Sequence, residues 1–201
     1  MLAIFKREFK SYFQNVIGWL FVAALLAVYG LYFYVYNLKN GYPYISYDLN
    51  GIGFIMMIAV PILTMRSLSD EKKTKTDQLM LTSPVSVGRI VAGKYFAMAA
   101  VYTIVIALFA LSPLVLSIYG KVALSEAYVA LFGYWLYGLS CIAVGLFISS
   151  ISESVIISAI LTFTALFLSY MMQSITGLIS SSGNLLTKVL NCFDLYTPFE
   201  N

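Results

Sequence analysis

The 201 residues contain no histidine. That excludes Ser-His and Cys-His catalysts and every His-ligated metal site. Two cysteines, Cys141 and Cys192, cannot build a disulfide framework or a four-cysteine zinc site. Charge is the next scarcity: 10 % of residues are charged and 61 % are hydrophobic, against about 25 % and about 45–50 % in an ordinary soluble domain. The mean hydropathy is +0.87. A soluble globule of this size needs more charge to cover its surface, and a disordered chain is poor in apolar and aromatic residues, so both classes are excluded.

The charges that are present lie in clusters. Uncharged runs separate Lys10 from Lys39, Asp48 from Arg66, Lys94 from Lys121, Glu126 from Glu153, and Glu153 from Lys188. A helix needs about 20 mostly apolar residues to cross about 30 Å of hydrocarbon. The gaps therefore predict an all-α integral membrane protein, a polytopic bundle with five spans at about 16–36, 49–65, 95–119, 127–150 and 154–173. The first apolar run is too long for a signal-peptide core and lacks a small-residue cleavage pattern. Pro113 is expected to bend the third span. No span so drawn contains an ionisable acid or base, so no ion-coupling chemistry is visible in them. Small residues such as Gly138, Cys141 and Gly145 permit close helix contact.

Orientation follows from lysine and arginine in the flanks. Nine lie before the first span and between the second and third; only Lys39, Lys121 and Lys188 lie on the other side. The amino terminus is expected in the cytoplasm of a cell in whose plasma membrane the chain sits. A crowd of tyrosines from Tyr29 to Tyr47 fits an aromatic belt at the outer interface.

Residues 2–14 place Leu2, Phe5, Phe9, Tyr12 and Phe13 at helical spacing. This predicts an interfacial helix with Lys6, Arg7 and Lys10 anchored on lipid phosphates. Residues 66–94 hold nine of the 21 charged residues. Ser67 and Asp70 fit an S-x-x-D helix start, and Pro84 an end. A segment longer than a hairpin requires, carrying Leu79, Met80 and Leu81 into the cytoplasm, calls for a partner. The string GRIVAGKY at 88–95 matches G-x-x-x-x-G-K but ends in Tyr and precedes a span, so it is not a phosphate loop; Lys94 is expected to snorkel to the interface. Residues 174–201 form an outer tail with an amphipathic stretch.

The string PILTMRSLSDEKKTKTDQLMLTSPVS at 61–86, followed by Gly93 and Lys94, resembles the permease subunits of type-2 ABC transporters. The branch it is most similar to includes the gliding-motility permease. IFKREFKSYF at 4–13 resembles that family's interfacial helix. The resemblance implies a six-span permease working as a homo- or heterodimer, each copy docked on a separate ATP-binding subunit that carries the ATP and Mg²⁺. Asp70, Glu71, Thr76, Leu79, Leu81 and Pro84 would fall on or beside the coupling helix seated in that ATPase. Lys75 stands where the family has glycine. The sequence stops about where the family enters a sixth span, which suggests truncation there, with a five-span variant as the alternative.

The reading that results is a single permease domain, 1–201, that forms the substrate pathway of an exporter. It has no catalytic, cofactor or metal residue of its own, and its partners are an ATPase, a second permease and lipid, without nucleic acid. An ATP-independent channel or secondary transporter is the alternative. An intramembrane enzyme finds no acid–base pair in the spans.

Overall fold

The computed structural model describes residues 2–41, 45–75, 86–119 and 122–179, and among these every regular element is helical. Helix α1 (Leu2–Gln14) is the amphipathic segment, with Phe5 stacked on Phe9 and Phe9 tilted against Phe13 along it. Extended backbone at Asn15 turns the chain into α2 (Val16–Tyr32). The corner is tight. The Trp19 indole N–H donates to the Phe13 carbonyl at 2.8 Å. Gly18 lies so close to the Tyr12 carbonyl that a Cβ would not fit.

A π-helical turn, Phe33–Lys39, extends α2. There follow α3 (Ile45–Thr64), the short α4 (Ser69–Lys73), α5 (Val87–Phe109), α6 (Ser112–Tyr119), α7 (Leu124–Ile151) and α8 (Val155–Ile179). Four stretches among the described residues are long and apolar enough to cross a membrane: Val16–Lys39, Ile45–Lys73, Val87–Ile118 and Leu124–Ile151. The fifth expected span falls on α8, whose apolar stretch Val155–Met171 is shorter. Of the outer tail expected at 174–201, residues to 179 continue α8, and 180–201, with Cys192, lie outside the described residues.

Helix α3 is the centre of the bundle, packed by α2, α7 and α8. Leu49, Ile52, Met56, Met57 and Val60 are fully enclosed there. Helix α5 packs on α1 and α7. Where α5 crosses α7, the Tyr102 ring occupies the space a side chain at Gly138 would fill, and its hydroxyl donates to the Tyr134 carbonyl at 2.7 Å. In hydrocarbon, helices gain little from excluding water, so such close contact and buried hydrogen bonds hold them together. The outer faces carry Phe132, Phe147 and Ile156, each more than half exposed, as a lipid-facing surface requires.

Pro61 leaves α3 unbroken. The third span breaks at Ala110–Leu111, ahead of Pro113. Proline cannot donate to the Phe109 carbonyl four residues back, and the Ser112 hydroxyl supplies that hydrogen bond at 2.7 Å. One expectation needs correction. The second apolar helix begins four residues, about one turn, before the charge gap does, at Ile45, and takes in Asp48, which is fully buried and bonded to Asn37 of the π-helical turn. A boundary drawn at a charge excludes that charge by construction, so a carboxylate held inside the bundle escaped the sequence reading.

Candidate functional site

The expected polar segment begins where α3 runs out. Met65 through Leu68 form turns, and α4 starts at Ser69. The S-x-x-D start expected from Ser67 does not form, because no side chain caps α4 from within the segment. The acceptor comes from α7 instead: Ser149 Oγ takes the backbone N–H groups of Leu68 and Ser69, both at 3.2 Å. It also donates to the Met65 carbonyl at 3.4 Å. One buried hydroxyl thus fixes the start of the segment to the bundle.

Helix α4 ends at Thr74, and Lys75 adopts φ 56°, the left-handed region. Lys75 is the one non-glycine with positive φ among the described residues, and it stands where the resemblance expects glycine. The backbone keeps the turn at a cost that glycine would avoid.

Lys94 differs most from expectation. Expected as an interface anchor, it is 2 % exposed. Its position in the first turns of α5 explains this: α5 begins at Val87, inside the stretch the sequence assigned to the polar segment, so Lys94 is carried into the bundle rather than to its rim. The G-x-x-x-x-G-K string is wholly helical there, which a phosphate loop is not.

The three protons of the Lys94 ammonium have three acceptors. Nζ lies 2.6 Å from Glu71 Oε1, 2.9 Å from the Ser67 carbonyl and 3.4 Å from Glu8 Oε1. Glu8 also accepts from Arg7 at 2.8 Å. Two ammonium or guanidinium groups therefore face two carboxylates, and the buried cation is fully satisfied. A cavity of about 370 Å³ opens beside this cluster, lined among others by Tyr12, Arg66, Asp70 and Thr74. Burial pushes the Tyr12 phenol well above its ordinary pKa, and the Glu8 and Glu71 carboxylates push the same way, so it stays a neutral donor. Its hydroxyl points at the Leu63 carbonyl, 3.5 Å away.

The other sequence-chosen residues divide. Lys6 and Lys10 are exposed on α1, and the Arg7 side chain is 60 % exposed while paired to Glu8. Asp70 is exposed at the cavity rim, and Glu71 turns inward to Lys94. Thr76, Leu79, Leu81 and Pro84 lie outside the described residues. The sequence reading does not single out Glu8 or Ser149, and it takes Ser67 as a helix start, whereas Ser67 serves through its carbonyl, as an acceptor for Lys94. Glu8 carried a usable signal, as an acid among three cations on an expected interfacial helix. Ser149 carried none.

A family model described as "ABC-2 family transporter protein" matches residues 32–201. No curated protein and no solved structure matches the chain. The match takes in the bundle from the end of α2 onward and the polar segment, leaving α1 and most of α2 outside it, and it agrees with helices able to cross a membrane. The chain belongs to the ABC-2 transporter family: it is a multi-pass membrane protein, the permease subunit of an ABC transporter.

Proposed function

We propose that this permease lies in the plasma membrane with α1 on the cytoplasmic face, and that residues 66–86 receive a separate ATPase subunit. The observation that carries this reading is the mounting of the segment. Its start is pinned to α7 by Ser149 and to α5 by Lys94, while Asp70, Lys73 and Thr74 face outward. A segment held rigidly on one side and polar on the other suits the transfer of a partner's motion into the spans. The chain itself contributes no catalytic group in this reading; ATP and Mg²⁺ belong to the ATPase. Two copies, alike or different, enclose the substrate path, and transport runs outward, as the family resemblance implies. Co-purification with the ATPase tests the docking. Leu79→Asp with Leu81→Asp is expected to abolish it; unchanged complex and unchanged coupled ATP hydrolysis would overturn it.

Asp48 favours a second reading. A fully buried carboxylate beside Asn37 is the kind of group an ion-coupled carrier uses. Flux into vesicles driven by a proton or sodium gradient without ATP, and lost in Asp48→Asn, would select it.

A further inference from the structure

Three separate pieces of chain meet at Lys94: α1 through Glu8, the turn and helix after α3 through Ser67 and Glu71, and α5 through Lys94 itself. The partners lie 86, 27 and 23 residues away in sequence. Helix α1 and the segment Ser67–Lys73 are therefore joined through one cation, while Tyr12 of α1 reaches toward Leu63 at the end of α3. We propose that Lys94 is a positioning residue that makes the membrane-surface helix α1 and the Ser67–Lys73 segment move as one body, with Glu8 as the arm to α1 and Glu71 as the arm to the segment.

The geometry supports two arms of unequal strength. Glu71 at 2.6 Å is a short charge-assisted bond, and Glu8 at 3.4 Å is longer and shared with Arg7. The ammonium is 2 % exposed and the two carboxylates 18 % and 16 %, so water screens the link weakly. Loss of Glu8 should free α1 and leave the segment attached. Loss of the cation should loosen both, the segment keeping its Ser149 tie to α7. The consequence for transport rests on the reading that the segment receives an ATPase: displacement of the docked segment is then delivered to α1 at the headgroup plane, as well as to the spans.

The test is amide hydrogen exchange on the whole chain in lipid nanodiscs, without the ATPase. Breaking a charged hydrogen bond should speed exchange by about tenfold or more in the element it held. Glu8→Gln is expected to speed exchange in residues 2–14 only. Lys94→Met should speed it in 2–14 and 66–73 together, and Lys94→Arg should restore protection in both. Unchanged exchange in 2–14 with Glu8→Gln, or release of only one element by Lys94→Met, would overturn the proposal. If Lys94→Met does not fold, Glu8→Gln still decides, since it leaves the buried cation its stronger partner. Exchange is read without ATPase, so failure of the docking reading, seen in co-purification, would leave this result standing.

Discussion

Replacing Lys94 by methionine keeps most of the side-chain volume and removes one buried charge. The residual site then holds the Glu71 carboxylate without its 2.6 Å partner, while Glu8 retains Arg7 at 2.8 Å. Removing one member of a buried ion pair costs about 3–5 kcal/mol. The Glu71 side chain is 18 % exposed and can recover some hydration, which places the expected loss near the low end, about 3 kcal/mol. In a chain of this length that corresponds to a fall in melting temperature of about 6–12 °C. The chain reports on this region by itself. Trp19 is bonded to Phe13 of α1, and with Trp135 replaced by phenylalanine its emission follows the α1–α2 corner through a thermal ramp in detergent. Adding Glu71→Gln to Lys94→Met removes the carboxylate whose charge Lys94 balances and should return the loss to about 1–2 kcal/mol. A Lys94→Met protein that melts within 2 °C of the parent, or a double variant no more stable than the single, would refute the description of Lys94 as a buried cation held mainly by Glu71.

Ser149→Ala deprives the Leu68 and Ser69 amides of their acceptor and is expected to cost about 1–2 kcal/mol, with faster amide exchange confined to residues 66–73; exchange unchanged there would show that the amides are satisfied elsewhere. Lys75→Gly relieves the left-handed backbone at φ 56° and is expected to stabilise the turn by about 1 kcal/mol, read as slower proteolysis after Lys72 and Lys73. Slower cutting must not occur equally in Lys75→Ala, which removes the same cleavage site without relieving the backbone.

The class of this protein was written in one dimension. Charge-free runs long enough for hydrocarbon, and amphipathic spacing in residues 2–14, follow from solvation, and solvation acts on each segment separately. So the apolar helices, the aromatic-faced α1 and the resemblance carried by 61–86 could be seen without coordinates. Glycine's expected place at 75 was also legible, and the backbone there takes the conformation glycine would favour. What lay beyond reach was every decision made by a distant partner. A charge ends the apolar run at Asp48 and so points it toward a loop, yet Asn37 from the preceding π-helical turn gives it a partner inside the bundle. A lone lysine at the mouth of a span normally snorkels, which points Lys94 to the membrane rim. Whether a charge seeks water or stays buried depends on whether acceptors surround it, and those acceptors come from Glu8, Ser67 and Glu71. The sequence determined which segments enter the membrane; tertiary structure decided which charges go in with them, because only packing brings the compensating groups within hydrogen-bond distance.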